Sequence, residues 1–318
     1  MTAVVQPEAT TPQDRPRPTR LSRGGRRRQL NPGRILAWAV LLLFLLVTIA
    51  PFLWMLRTAL SNNRSLFTEP NSPLPVDFTW GPLRRVFGLA STEEAQAQGG
   101  SGASLHFWTY LRNSLIVSVV ITIGQVFFSA CAAYAFARLR WPGRDKVFFV
   151  FLTALMVPPV LTMLPNFVLI RELGLLNTYP GIVAPFFFMT PFAVFFLRQF
   201  FLGISREIEE AAMIDGAGYY RIFFRIILPA SSAPLATLSI LTFINSWNEY
   251  FWPNLVGQKD GVRVLTVALS AFRDATPNTG PDWAGLMAAA LVAAVPTMLV
   301  FLAFGRKIIN SIQFTGVK

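Results

Sequence analysis

Side chains able to do chemistry are scarce in this 318-residue chain, and their types argue against catalysis. The chain has one histidine, His106, and one cysteine, Cys131, so neither a histidine-rich metal site nor an internal disulfide can form. A nucleophile paired with a base is equally hard to build from this set. The glycine-rich GxxxxGK loop that cradles nucleotide phosphates is absent from the sequence. We therefore expect no catalytic residue, no metal site and no cofactor bound by this chain.

Carboxylates concentrate instead in one stretch, EEAAMIDGAGYYRIFFRIILP, from Glu209 to Pro229. Ser205 is suited to cap a helix here, and Glu207 and Glu209 lie in its first turns, where negative charge favours the helix dipole. Gly216 then permits a sharp turn, after which a basic, apolar run resumes. The stretch is therefore predicted to form a short amphipathic helix, a turn and a second helix.

Two interpretations of the acidic helix stay open on physical grounds. Ile204, Ile208, Ala211 and Ala212 are expected on one face, and the alanines keep the helix narrow enough to enter a groove on a soluble partner. The alternative is an interfacial helix that rests on lipid headgroups. The acids pair poorly with anionic lipid, but they do not decide between the two.

The elements that must position this helix are apolar. Hydrophobic residues make up 53% of the chain and charged residues 14%, against about 25% charged in soluble domains. A membrane span needs roughly 20 apolar residues. An all-α membrane protein with six transmembrane helices is therefore predicted from the six stretches of this length that lack Asp, Glu, Lys and Arg: Ile35–Leu56, Asn113–Ala137, Val147–Ile170, Leu173–Leu197, Ile226–Asn248 and Trp283–Gly305.

Positive charge predicts the orientation, because cytoplasmic loops carry an excess of Lys and Arg. Nineteen of the 28 Lys and Arg residues fall in the N-terminal tail, after the second span, between the fourth and fifth spans, or at the C-terminus. We therefore expect cytoplasmic N- and C-termini and a cytoplasmic acidic stretch. The Arg-rich tail is interpreted as a positive-inside segment, not as a nucleic-acid site or a cleavable signal.

The acidic stretch resembles the EAA loop of permease subunits in bacterial ATP-binding-cassette (ABC) importers. Glu210-Ala211-Ala212, then Gly216, then Ile226-x-Leu228-Pro229 match every fixed position of that pattern, between the fourth and fifth spans. The resemblance extends from about Trp108 to the C-terminus. Four further segments are similar to the carbohydrate-importer branch, the last of them to the maltose-type second permease: AAYAFARLRWPGR, LPNFVLIRELGLLNTYPGIV, NSWNEYFWP and QFTGVK.

This resemblance implies the type I ABC importer permease fold and a set of partners. The EAA helix would be a coupling helix that docks on a cytoplasmic ATPase, of which two copies use ATP and Mg. A second permease subunit, a solute-binding protein outside the cell and a sugar substrate would complete the system. The chain itself would be a multi-pass protein of the bacterial cytoplasmic membrane with no enzymatic activity.

The motif also predicts individual coupling residues. Glu210 would supply a polar contact, Ala211 and Ala212 the fit into a cleft, and Gly216 the turn. The rest of the predicted set is Asp215, Arg225, Leu228 and Pro229.

A second polar cluster lies at the outer end of the fifth span, and its members are Asn245, Trp247, Asn248, Glu249 and Trp252. Interfacial anchoring explains tryptophans at this depth whatever the function. Amides and a carboxylate beside indole rings suit a sugar, an outer gate or contact with the binding protein. We favour the gate or docking role. Polar residues within spans, such as Gln125, either line the path or tie helices together.

The predicted spans and the resemblance together divide the chain into five parts. These are a disordered basic tail (1–34), the first span (35–56), an extracytoplasmic loop (57–107), the transport domain (108–306) and a cytoplasmic tail (307–318). The outer loop carries an insertion, STEEAQAQGGSGAS (91–104), that we expect to be flexible. The transport domain contains a coupling loop (204–229) and spans at about 113–137, 147–170, 174–197, 230–252 and 283–305.

A secondary transporter and a membrane enzyme are the alternatives to an importer permease. A secondary transporter usually carries ionisable residues near the bilayer midplane, whereas here the nearest such residue, Glu249, lies at the edge of a span. A membrane enzyme would need a catalytic cluster. Within the importer class, a glycerol-phosphate-type or other polar solute is the alternative to sugar.

Overall fold

A computed structural model describes residues 32–100, 105–270, 272 and 281–313, and the basic tail therefore lies outside the described residues. The chain divides into two compact units, residues 1–50 and 51–318. In the first unit, helix α1 (Pro32–Ala59) begins, and its apolar side chains between Ile35 and Val47 are exposed. An exposed apolar helix of this length is suited to lipid.

The second unit completes α1 and continues as helices joined by short connections. On the predicted outer side come α2 (Ser65–Thr68), α3 (Gly81–Val86) and α4 (Thr92–Ala97). The remaining helices are α5 (Phe107–Arg138), α6 (Arg144–Thr153), α7 (Pro159–Glu172), α8 (Tyr179–Phe187), α9 (Pro191–Leu202), α10 (Arg206–Ile214), α11 (Tyr219–Ile222), α12 (Leu228–Ala230), α13 (Ser232–Asn248), α14 (Phe251–Val256), α15 (Leu265–Leu269) and α16 (Trp283–Gln313).

Three helices are long and apolar enough to cross a membrane unbroken, namely Gly33–Ala59, Phe107–Arg138 and Trp283–Phe304. Three further spans are helix pairs bent by 96°, 45° and 77°. The six predicted spans are thus reached when each bent pair counts as one span. The helices over 147–170, 174–197 and 230–252 are each interrupted within the predicted bounds.

Prolines and polar caps account for these interruptions. Pro158 and Pro159 have no N–H to donate to the preceding turn, so the helix ends at Met156 and α7 starts afresh. Thr190 caps α9 with its side chain after the break in the fourth span. The fifth span bends at Ser231, and α13 ends at Asn248.

Helix α5 is central to the fold, since it packs against α8, α9, α13 and α15. Ala130, Ala133 and Ala137 are buried along its second half, where their size lets neighbouring helices approach closely. Gly124 permits a close approach of α8, because a Cβ added there would lie 2.3 Å from the ring of Phe187. Small residues therefore set the spacing at this central helix.

Within the insertion that we expect to be flexible, residues Thr92–Ala97 form the helix α4. Ser91 accepts a hydrogen bond from the backbone of Glu94 at 3.2 Å, and the Glu94 carboxylate accepts one from the Ser91 backbone at 3.3 Å. This reciprocal capping box satisfies backbone donors at the helix start, and it outweighs the Gly/Gln-rich composition. Residues 101–104 lie outside the described part of the chain.

Candidate functional site

Two features of the second unit bear on function: the acidic helix α10 with its following turn, and a cavity of mixed polar and apolar lining beside α13. The local structure of α10 follows its sequence. The Ser205 hydroxyl accepts from the backbone N of Glu207 at 3.3 Å, which confirms the predicted cap. Gly216 adopts φ +80°, and the Ala217 backbone donates to the carbonyl of Ala212 at 2.9 Å. A left-handed residue after the helix is the geometry that favours glycine.

The inner face of α10 differs from the expected one. Ile204 and Ala212 pack against the core cluster, but Ile208 and Ala211, expected on the same face, are exposed. The centre of the inner face is instead Glu209, which is only 6% exposed. An apolar pattern alone missed this arrangement, because the buried carboxylate is paired with a cation from another helix.

That cation is Arg138, the last residue of α5. Its Nε lies 3.0 Å from Oε1 of Glu209, as an ion pair whose N–H is not aligned for a hydrogen bond. Burial raises the pKa of the Glu209 carboxyl above its ordinary value, and the charge of Arg138 opposes that rise. Of these two effects on the Glu209 carboxyl, desolvation is the larger.

The outward face of α10 is exposed and mixed in character. We call it the coupling surface, and it comprises Glu207, Ile208, Glu210, Ala211, Ile214 and Asp215. Ile214 is 87% exposed, and Tyr220, just after the turn, is 86% exposed. Large apolar side chains this open, framed by carboxylates, are typical of a surface that a protein partner covers.

The other predicted coupling residues lie around this surface. Gly216 is exposed at the turn, and Ala212 is half-buried on the inner side. Arg225 belongs to a π-helical segment, Phe223–Ile227, and its side chain is exposed. Leu228 packs against the core cluster. Pro229 lacks the N–H that would normally bind the Arg225 carbonyl, which accounts for the widened turn before it.

The second feature is a cavity of about 220 Å³ beside α13. Aromatic rings, apolar side chains, amides and hydroxyls line it together. The lining residues are Val117, Ile121, Gln125, Ile182, Phe186, Thr190, Phe192, Leu238, Leu241, Thr242, Asn245, Ser246, Glu249, Trp252 and Pro253.

Of the five residues predicted at the end of the fifth span, Asn245, Glu249 and Trp252 line this cavity, whereas Trp247 and Asn248 do not. Trp247 is buried, and its indole N–H donates to the Ala293 carbonyl at 3.0 Å, which ties α13 to α16. The Asn248 side chain donates to its own helix, at Ile244.

The tryptophans therefore pack inside the protein and do not act as interfacial anchors. Trp252 is buried like Trp247. Its indole N–H lies within reach of two carbonyls of α8, at 3.3 Å from Gly181 O and 3.1 Å from Ile182 O. The backbone N of Trp252 donates to Oε1 of Glu249 at 3.2 Å, so one oxygen of this cavity-lining carboxylate is held by the backbone.

Sequence reasoning missed part of the lining. Thr242 and Ser246 join Asn245 and Glu249 at helical spacing, so one face of α13 carries a polar stripe. That spacing was a usable signal. Gln125 is predicted only as a polar residue within a span. No local pattern indicates its partner Thr190, because the break before α9 brings the two side chains together.

The charges around the cavity are few. Glu249 is the one carboxylate among its described lining residues, and those residues include neither lysine nor arginine. The described chain also contains no group of three His, Cys, Asp or Glu side chains that could hold a metal. The cavity therefore offers hydrogen bonds and aromatic surface to a ligand.

Broken apolar helices around a cavity of mixed lining, with an exposed amphipathic helix beside them, fit the class of membrane transport subunits. Residues 125–312 match the family described as the binding-protein-dependent transport system inner membrane component. This match covers more than half of the chain, and the protein belongs to that family. It is a permease subunit of an ABC importer in the bacterial inner membrane.

Relatives and a solved structure agree with this assignment. The chain is 33% identical to the Probable ABC transporter permease protein YurM of Bacillus subtilis, covering 92% of this chain and 91% of that protein. It is 30% identical to the diacetylchitobiose uptake system permease protein NgcG of Streptomyces coelicolor, covering 86% of each. It is also 30% identical to the sn-glycerol-3-phosphate permease UgpE of Pectobacterium atrosepticum, covering 86% of this chain and 93% of the relative.

The fold matches that of a chain in a bacterial ABC transporter that imports the acidic polysaccharide alginate. The TM-score is 0.71 at 24% identity, and the match covers 86% of this chain and 96% of that one. The predicted importer permease fold is thereby confirmed.

Proposed function

We propose that this permease couples ATP hydrolysis on a separate cytoplasmic ATPase to solute import through the coupling surface of α10. The observation that carries the proposal is the division of α10 into two faces. Its inner face is fixed by Glu209 and Ala212, while Ala211 and Ile214 remain open on the outer face. A narrow helix held on one side and open on the other is suited to a groove on a partner.

Orientation and assembly follow from the same proposal. Both termini face the cytoplasm, since the Lys and Arg excess falls on the α10 side. A second permease subunit covers exposed apolar side chains of the third span, such as Phe149, Met156 and Leu164. The ATPase binds ATP and Mg, and this chain binds no cofactor.

The solute is a sugar or an oligosaccharide. Asn245, Gln125 and Ser246 offer hydrogen bonds to hydroxyl groups, and Phe186 and Trp252 offer rings for the apolar face of a pyranose. A relative that takes up diacetylchitobiose supports this choice. Glu249, at the end of α13 and in the cavity lining, suits a gate as well as a binding contact.

A glycerol-phosphate-type solute is the second candidate, because one relative is a permease for sn-glycerol-3-phosphate. The charge of the cavity lining disfavours a phosphate-bearing solute in this chain. A phosphate would face the carboxylate of Glu249 with no lysine or arginine among the described lining residues. Like charges this close are costly where water is partly excluded.

The test is reconstitution of the full complex with its cognate ATPase and binding protein in proteoliposomes. We expect uptake of diacetylchitobiose or another neutral oligosaccharide to depend on ATP. Calorimetry on the binding protein with the same sugars and with sn-glycerol-3-phosphate ranks the two solute classes. ATP-dependent uptake of the phosphate compound alone would contradict the sugar assignment, and failure to bind any ATPase would contradict the coupling role.

A further inference from the structure

One buried ion pair joins the coupling helix to the helix that lines the cavity. The Arg138 side chain is 3% exposed, and its Nε lies 3.0 Å from Oε1 of Glu209. A terminal nitrogen of Arg138 also donates to the carbonyls of Phe201 and Ile204, at the C-terminal end of α9. A single guanidinium thus holds the ends of α5 and α9 and the middle of α10.

Helix α5 can carry a displacement from this point to the cavity. It runs from Phe107 to Arg138 without a proline, and Gln125 on the same helix lines the cavity. The 13 residues from Gln125 to Arg138 span about 20 Å of α-helix. An unbroken helix of this length moves as a rod, so a shift at Arg138 reaches Gln125.

A second contact connects the same end of α5 to the segment after the coupling turn. The ring of Tyr134 lies 5.0 Å from the ring of Phe223, which begins the π-helical segment. Both sides of the turn at Gly216 are therefore attached to the last turns of α5. By contrast, Glu210, the acid of the EAA motif, is exposed and makes no ion pair with Arg138.

The chemistry of arginine suits this connection. Its planar fork donates to several acceptors at once in fixed directions, which a lysine ammonium does not reproduce. Removal of either charged partner leaves the other buried and uncompensated. The pair is consequently difficult to separate while α10 moves.

We propose that Arg138 is a positioning residue that transmits the displacement of α10 to α5, so that closure of the ATPase reaches the cavity through the Arg138–Glu209 pair. The inference rests on the proposed docking of α10 on the ATPase. It assigns force transmission to Glu209 on the inner face and leaves partner contact to the outer face.

The first test follows cavity exposure without a solute. Leu241 lines the cavity and is replaced by cysteine in a Cys131→Ala background. The complex with its ATPase is embedded in nanodiscs, and labelling by a charged maleimide is timed before and after vanadate trapping. We expect trapping to change the labelling rate by about 5-fold or more with Arg138 present. With Arg138→Gln we expect a change below about 2-fold, although the ATPase stays bound.

Arg140→Gln is the matched control, because Arg140 lies two residues away and is exposed. It should keep the full response to trapping. An undiminished response in Arg138→Gln would overturn the inference. Arg138→Lys keeps the positive charge but lacks the planar guanidinium. A partial labelling response to trapping in this variant supports a role for the guanidinium geometry, and a full response contradicts that role.

A second measurement leaves Arg138 in place, so that it holds even if Arg138→Gln fails to assemble. Spin labels at Ile123 on α5 and Met213 on α10, both exposed and the latter outside the coupling surface, report the distance between the two helices. If the pair makes them one body, that distance changes by less than about 2 Å on vanadate trapping. A larger change would show that α10 moves independently and would overturn the inference.

The outcomes also separate this inference from the proposed function. A protein with Arg138 that does not bind the ATPase contradicts the proposed function itself. A complex that binds the ATPase and responds to trapping regardless of residue 138 contradicts only the transmission role.

Discussion

Gln125 and Thr190 meet where the fourth span breaks. The Gln125 side-chain N–H donates to the Thr190 hydroxyl oxygen at 3.0 Å, and the same oxygen accepts from the Ala193 backbone at 3.4 Å. One hydroxyl thus caps α9 and binds the central helix α5. Because both side chains line the cavity, this contact fixes the cavity wall at the break.

Thr190→Val should lower the thermal stability of the purified permease. The valine keeps the shape of threonine but removes the cap of α9 and the partner of Gln125, a loss of about 1–2 kcal/mol. Differential scanning fluorimetry in detergent measures the change in melting temperature. Thr162→Val is the control, since the Thr162 hydroxyl binds only within its own helix, at the Pro159 carbonyl. Equal melting temperatures for the two variants would contradict the assignment.

Asn245→Ala and Glu249→Gln should reduce uptake by about 10-fold, because the first removes an amide from the cavity and the second removes the charge of its one carboxylate among the described lining residues. Asn248→Ala is a close control: it is the same substitution three residues from Asn245, on a side chain that binds its own helix. Uptake of a labelled oligosaccharide in proteoliposomes measures the difference. If Asn248→Ala impaired uptake as much as Asn245→Ala, the cavity would not be the path.

The proposed orientation predicts a labelling pattern. In a Cys131→Ala background, cysteines at Leu74 and Gln258 should react from outside intact cells, and a cysteine at Tyr220 only after permeabilisation. All three positions are exposed. Reaction of the Tyr220 variant from outside would reverse the topology. The positions Ser101 and Gly280, equally expected outside, lie beyond the described residues.

Glu209 predicts a pH dependence of stability. Burial raises the pKa of its carboxyl above the ordinary 4.5, so the folded protein binds the proton more tightly than the unfolded chain. This contribution is fully present below pH 4.5 and is lost as the pH rises through the folded pKa. The melting temperature of the unmodified protein minus that of Glu209→Gln should therefore increase from pH 8 to pH 5. A difference in melting temperature that stays constant or falls toward pH 5 would contradict the raised pKa of Glu209.

Much of the fold was predictable because membrane spans are specified locally. Length and lack of charge fix where a helix can cross the bilayer, and proline and threonine mark where it breaks. The Ser205 cap and the turn at Gly216 were likewise visible, since each depends on a few adjacent residues.

The features that could not be predicted depend on contacts between residues that are far apart in the sequence. Glu209 and Arg138 are 71 residues apart, so a carboxylate that periodicity assigns to solvent becomes the buried centre of α10. Trp247 and Trp252 carry the composition of interfacial anchors, yet their indole N–H groups bind carbonyls of α16 and α8. Such pairings arise from tertiary packing and leave no local pattern.

The coupling role of α10 is tested most directly by photo-crosslinking. A benzophenone amino acid at Ile214, the most open apolar residue of the coupling surface, should crosslink to the ATPase in the assembled complex. The same probe at Leu302 on α16, which is also widely exposed, should not. A crosslink to the ATPase from Ile214 alone is the predicted result. No ATPase adduct at Ile214, in a complex that still hydrolyses ATP and imports solute, would contradict the account.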